Sequence, residues 1–202
     1  IYGLPEHSAE KIKAANLVAV PGCYPTASIL GLLPVIPYLQ NNSKIILDAK
    51  SGISGAGKSS VENGLEEDIK ENFKSYNVGF HRHQPEIKDF LKLEFDLDHE
   101  IIFIPHLLPL FRGEYVTLYC EVTQNNLNLN ELYESYYEKH KLVRIKEKGE
   151  IAEIKDVINT IYCDISVSYA FQSNTIVVNS AIDNLLKGAA SQAIQCLDIM
   201  SS

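Results

Sequence analysis

The sequence predicts an α/β or α+β domain. Segments with apolar residues at helical spacing are interspersed with segments of strand character, no internal repeat or low-complexity linker interrupts them, and 46% hydrophobic residues over 202 positions suffice for a real core. Taken in order, Ser8 to Asn16 reads as a helix and Leu17 to Val20 as a strand. Pro21-Gly22 breaks that strand, Pro25 suits a first helical turn, and Ala27, Leu30, Leu32 and Leu33 supply apolar positions for a helix from Pro25 to Leu33. A strand over Lys44 to Ala49, a helix over Val61 to Asn72, a proline-started helix over Pro85 to Phe95 and a strand over Ile101 to Ile104 follow. In Tyr115 to Thr123, Val116, Leu118, Cys120 and Val122 alternate with Tyr115, Thr117, Tyr119 and Glu121, as in a sheet with one buried face; this puts Cys120 in the core. A helix is expected over Asn130 to His140. Strands over Ile165 to Ala170 and Thr175 to Asn179 are joined by a hairpin turn at Gln172-Ser-Asn174, and a helix with small residues on its apolar face closes the chain from Asn184 to Ile199.

Composition narrows the function. Eighteen Lys and Arg against 26 Asp and Glu give a net charge of −8, and the basic residues are scattered, so nucleic acid is an unsuitable partner. No apolar run is long enough to span a bilayer, and no basic-then-apolar leader occurs. The four cysteines, Cys23, Cys120, Cys163 and Cys196, form no close pair with metal-ligand spacing and suit a reducing compartment, which points to the cytoplasm and to no metal. Met200 is the only methionine, so the expectation is a fragment that has lost an N-terminal portion.

Four stretches carry candidate chemistry. Cys23 opens a helix, where unpaired amides and the positive end of the dipole favour thiolate and make a nucleophile; the other reading is a buried, inert cysteine. The loop from Ser51 to Lys58 packs three glycines after a strand, which lets backbone approach a ligand closely, but it has neither P-loop nor dinucleotide spacing. Gly79 to Ile87 sets His81, Arg82, His83 and Glu86 at the start of a helix. An imidazole moves protons near neutral pH and a carboxylate orients it; either histidine fits that part, the other packing or meeting substrate. Pro105 to Gly113 places a further histidine and Arg112 on a loop between strands, where Arg112 suits either a carboxylate or phosphate clamp or an intrachain ion pair. Beyond these, Asp183 to Ala190 opens the final helix, with Asn184 and Gly188 either beside a bound cofactor or in plain helix packing.

Together P-G-C-Y-P-T, S-G-I-S-G-A-G, H-R-H-Q-P-E, P-H-L-L-P-L-F-R-G and D-N-L-L-K-G-A-A, in that order over essentially the whole chain, resemble the N-acetyl-gamma-glutamyl-phosphate reductases. The first and third motifs favour them over the related aspartate-semialdehyde dehydrogenases. The resemblance departs at Ile161, where the family usually has asparagine, and in the absence of the glycine-rich turn of a nucleotide-binding domain.

The resemblance implies a mixed, largely antiparallel sheet packed by helices, as in the C-terminal catalytic domain of glyceraldehyde-3-phosphate and aspartate-semialdehyde dehydrogenase-like enzymes. Residues 1–182 would form the catalytic and dimerisation domain, and 183–202 a helix packing on the absent NADP-binding domain. It implies an NADP-dependent reduction of a small acyl phosphate by a homodimer or homotetramer. Cys23 would be the nucleophile and His81 the acid/base, with Glu86 orienting it and His83 the alternative. Ser51, Gly52, Ser54, Gly55, Asn184 and Gly188 would lie at the cofactor, and Tyr24, Arg82, His83 and Arg112 at the substrate. Two other classes fit the same residues: a cysteine hydrolase using Cys23, His81 and Glu86, and a non-catalytic dimerisation fragment.

Overall fold

The computed structural model describes residues 1–57 and 65–202. The elements are α1 (Pro5–Lys13), α2 (Cys23–Leu32), β1 (Lys44–Gly52), α3 (Glu66–Ile69), β2 (Lys74–Ser75), α4 (His83–Phe95), β3 (Glu100–Leu108), β4 (Glu114–Glu121), α5 (Leu129–Tyr137), β5 (Val143–Ile145), β6 (Cys163–Tyr169), β7 (Thr175–Ile182) and α6 (Ser191–Met200). A 3₁₀ turn (Leu33–Tyr38) extends α2, a second (Ile53–Ala56) follows β1, and a π-helical turn (Leu186–Ala190) leads into α6. The fold class is the expected one: a seven-stranded mixed sheet in the order β2-β3-β1-β4-β7-β6-β5, parallel only at β1/β3 and β5/β6.

Period-two burial along β1, β3, β4 and β7 gives the sheet two unlike faces. One, with Leu47, Phe103, Val116, Leu118, Ile176 and Val178, is covered by helices and forms the main core. The other carries half-exposed Ile46, Ile102, Ile104, Tyr119 and Val177.

The core helix α2 lies on β4 and β7 and is buried on nearly every side. Pro34 removes the amide that Leu30 C=O would accept, and the 3₁₀ tightening perturbs the bond at Gly31. Two buried tyrosines of α5 supply the missing donors: Tyr137 Oη donates to Leu30 O, and Tyr133 Oη to Gly31 O at 2.6 Å. At the other edge, buried Lys187 pairs with Glu6 of α1 at 2.7 Å and with Gln195 at 2.8 Å, joining the first helix to the last.

Several expectations are corrected. Leu17 to Val20 is not a strand: Ala19 makes one isolated bridge to Tyr2, and Leu17 and Val20 are exposed, so no further ladder recruits them. The first helix starts at Pro5, because a proline at its first position is tolerated there. Of the helix expected over Val61 to Asn72, the part before residue 65 lies outside the described residues, and the rest is helical only at Glu66–Ile69. His106 is not in a loop: β3 runs on to Leu108, and His106 sits on the outer sheet face with Nδ1 3.2 Å from Asp48 and its ring stacked on Phe73. Strands β2 and β5, of two and three residues, carry too little pattern to be read. Among the described residues no helix is long and apolar enough to cross a membrane, and no group of three or more His, Cys, Asp or Glu is placed to hold a metal ion.

Tyr137→Phe should destabilise the fold by about 1–3 kcal/mol, the usual range for stranding a buried acceptor. Denaturant unfolding reads this directly; an unchanged midpoint would show that Leu30 O finds another donor.

Candidate active site

Cys23 is the first residue of α2, and the turn that places it is built without a side-chain cap. Extended Gly22 is the N-cap; its C=O accepts from the amide and hydroxyl of Thr26, at 3.0 and 2.9 Å. Its N–H donates to Glu86 Oε1 at 3.0 Å, and the same oxygen takes the Tyr2 hydroxyl at 2.9 Å. Glu86 therefore does not bond His81 as expected: its Oε1 is taken up by the Gly22 amide and the Tyr2 hydroxyl, at the same glycine that His83 abuts, and it fixes the cysteine turn. Pro25 has no amide, so the donors of the first turn that bear on the sulfur are the N–H groups of Cys23 and Tyr24.

The two histidines separate in role. His83 begins α4, is buried, and lies so close to Gly22 that a Cβ there would stand 2.4 Å from its Nε2. Only glycine admits the ring at that position. His83 Nδ1 has no partner among the described residues, and burial, then His81 and Arg82, push its pKa down to about 3, so the ring is neutral at physiological pH. The unfolded chain protonates near 6.5, so the stability gained by burying a neutral ring is lost as pH falls from 6.5 toward 3. His81 is half-buried, accepts from His83 N through Nδ1 at 3.2 Å, and has its pKa lowered by burial and then by Arg82. With Arg82, Tyr76, Gly55 and Ala56 it lines a cavity of about 760 Å³.

The helix terminus does not win the contest over the thiol. The Cys23 and Tyr24 amides lower its pKa as expected, but burial and the neighbouring Glu114 raise it by more, so the net direction is upward. Glu114, fully buried at the start of β4, is itself pushed up to about 8 by burial. Of the four free cysteines, Cys23 alone is partly exposed, while Cys120, Cys163 and Cys196 are buried.

The described part of the glycine loop and the last motif are bonded to the loop before β4. The amides of Gly52, Ile53 and Ser54 donate to the carbonyls of Gly113, Leu110 and Phe111, at 2.8, 2.9 and 3.0 Å. Ser51 Oγ is turned onto Gly52 O, and Asn184 bridges Gly113 N (2.8 Å) and Ser54 Oγ (3.0 Å). Gly188 lies against Cys23: a Cβ there would meet Cys23 Cβ at 2.7 Å. Tyr24 is buried with its hydroxyl on His106 O, and Arg112 is committed to Asn159 and to the buried Asp183, at 3.0 and 3.2 Å. Of the residues expected at cofactor or substrate, Gly55 and Arg82 border the cavity, as does His81, expected as the acid/base, while Ser51, Gly52, Ser54, Tyr24, His83, Arg112, Asn184 and Gly188 do not line it. Ile161 is exposed; two residues earlier, Asn159 at positive φ holds Asp183 through its amide.

The sequence reading missed Glu114. Its signal was present: it precedes Val116, Leu118 and Cys120 in the buried phase of β4.

A cysteine at a helix start, an imidazole on the preceding glycine and a bracing Asp-Asn pair delimit a segment that the sequence model of the semialdehyde dehydrogenase dimerisation domain matches over residues 23–184. The chain belongs to this family. It is 41% identical to the N-acetyl-gamma-glutamyl-phosphate reductase of Thermoanaerobacter sp. (strain X514), over 99% of this chain and 59% of that protein, and 44% identical to the enzyme of that name from Halothermothrix orenii, with the same coverage. The chain thus spans about three-fifths of the length of these relatives. The semialdehyde dehydrogenase fold is borne out by aspartate semialdehyde dehydrogenase II from Vibrio cholerae, with a TM-score of 0.78 at 17% identity over 99% of this chain and 68% of that one. A probable aspartate-semialdehyde dehydrogenase from Pseudomonas aeruginosa gives 0.79 at 15% identity, over 100% and 68%.

Gly188→Ala should force Cys23 from its place, costing about 1–3 kcal/mol as an overpacked contact and slowing alkylation of Cys23. Gly31→Ala is the control: its Cβ meets Val178 at an ordinary 3.5 Å inside α2, so a neutral or slightly stabilising change is expected. Equal melting temperatures and alkylation rates for the two variants would refute the close-approach account.

Proposed function

We propose that this chain carries the catalytic and dimerisation part of a cytoplasmic N-acetyl-gamma-glutamyl-phosphate reductase, which reduces N-acetyl-gamma-glutamyl phosphate to N-acetylglutamate semialdehyde with NADPH in arginine biosynthesis. The observation that carries this reading is the partly exposed Cys23 at the head of α2 with His83 laid on Gly22, in a chain whose relatives of that name match over 99% of its length.

Cys23 attacks the acyl carbon as thiolate, its proton passing to neutral His83; the bond from carbon to the phosphate oxygen breaks, phosphate leaves and a thioester remains. A nicotinamide cofactor, when bound, supplies the hydride that reduces the thioester carbon. His83 returns the proton to sulfur as the carbon–sulfur bond breaks and the aldehyde departs. This gives His83 the acid/base part first assigned to His81, because His83 is the ring against the cysteine turn. Glu86 positions the turn, and His81 and Arg82 on the cavity wall suit the anionic substrate.

The described residues fit the nicotinamide end of the cofactor and not its pyrophosphate. Gly55 and Ala56 border the cavity, but the amides of residues 52–54 are already bonded. A separate nucleotide-binding domain would supply the rest, with residues 183–202 packing on it and residues 1–182 forming the catalytic and dimerisation domain. Exposed Ile194 and Leu197 on α6 support this division. The half-exposed apolar row on the outer sheet face supports a homodimer or a tetramer built from it.

Cys23→Ser should abolish acyl-phosphate-dependent oxidation of NADPH by the full-length protein, and His83→Asn should lower turnover roughly 100-fold or more. His81→Asn should act mainly on KM; the opposite ranking of the two histidines would return the acid/base part to His81.

Assembly gives a separate check. Ile46 and Tyr119 face each other across β1 and β4 on the outer face, and aspartate at both should shift the mass in solution to a monomer. An unchanged mass would place the interface elsewhere.

A further inference from the structure

One ionisable group at the Cys23 turn has no part in the reaction above. Glu114 is fully buried, and neither carboxylate oxygen has a hydrogen-bond partner among the described residues. Burial of an unpartnered carboxyl is costly, and its strand phase calls for an apolar residue at that position. The backbone fixes where it points. Glu114 opens β4, opposite Ser51 on β1 and Ile182 on β7, on the face against which α2 packs. Ile182 in turn reaches the Gly188 contact with Cys23.

The groups around it are few. From α2 come the Cys23 thiol, which is the group nearest to partnering the carboxyl, and the Tyr24 ring; from beyond β2 comes Tyr76; β1 and β7 contribute Ser51 and Ile182. Among the described residues no cation offsets Glu114, and the thiol receives amide donors only from Cys23 and Tyr24.

We propose that Glu114 is a positioning residue that sets the reactivity of Cys23: as a neutral acid its O–H donates to the thiolate from the buried side, and as a carboxylate it holds the thiol protonated. A donor from below adds to the two amides in a turn where proline withholds the third. The ionised form acts in the opposite direction, since a like charge at short range through protein disfavours thiolate. Burial places the changeover near pH 8, so the acid is neutral under ordinary conditions. The inference rests on Cys23 being the nucleophile, but its test does not depend on turnover.

The rate of iodoacetamide alkylation of Cys23, followed by peptide mass spectrometry in the full-length protein, should be measured against pH for wild type, E114Q and E114L. Wild type should climb, flatten as Glu114 ionises, and climb again. E114Q, neutral and still a donor, should match wild type within about 2-fold near pH 6 and exceed it about 10-fold near pH 9, the effect of roughly one pKa unit. E114L should lack the flattening and stay slower than E114Q throughout, having lost the donor.

Parallel wild-type and E114Q profiles, or a uniform slowing with no change of shape, would overturn the proposal. Should E114Q fail to fold by circular dichroism, the wild-type curve decides alone, a single-step titration counting against it. Full turnover in Cys23→Ser would sink the catalytic reading instead, leaving the alkylation result to stand on its own.

Discussion

The site depends on how one buried carboxylate is satisfied. Asp183 is wholly excluded from solvent, yet four donors converge on it: the amides of Leu185 and Leu186 on Oδ1, and the Asn159 amide and Arg112 guanidinium on Oδ2. A carboxylate so bonded gains back much of the hydration it lost, and the four donors come from three separate pieces of chain. Asp183 follows β7, precedes the π-helical turn, and ties in both the loop before β4 and the turn before β6. Asn184, one residue on, binds that loop to the 3₁₀ turn after β1. Because Gly188 lies a turn further along the same segment and touches Cys23, the position of the sulfur is inherited from Asp183.

Much of this was legible in the sequence. Pro21-Gly22 ahead of an apolar run announced a helix with cysteine at its head, and strict alternation located β4 and its buried face. Other parts were not, for reasons of distance and degree. Glu86 is five residues from His81 and 64 from Gly22, yet it bonds the latter. Sequence proximity favours the near partner, whereas the docking of α4 on α2 decides the real one. The glycines around residues 52–55 looked like a ligand loop because close approach is what glycine permits, but the approaching group is the 110–113 backbone. The same ambiguity attends Gly188, where the close neighbour is Cys23.

The thiol shows how degree decides a sign. The helix-start argument is correct in direction, since both first-turn amides favour thiolate, but partial charges at a helix end act against the desolvation of a thiol sunk beside a buried acid. Composition and spacing do not report burial at one atom. A glutamate one step before an apolar alternation does hint at it, because its phase assigns it to the core and a carboxyl there must either find donors or stay protonated.

At rest the centre is therefore nearly uncharged: His83 is neutral, Glu114 is held as the acid, and the thiol keeps its proton. In the proposed reaction charge appears together, as Cys23 thiolate and His83 imidazolium, and in a medium of low polarity an opposite pair close together costs far less than either ion alone. The exposed Arg82 works against the imidazolium, being one of the causes that depress both histidines. An anion set against Arg82 would cancel that opposition, so on the proposed reading the substrate's phosphate group would make His83 a better base. In its absence the same geometry keeps the Cys23 thiol protonated, and a protonated thiol reacts slowly with oxidants and stray electrophiles.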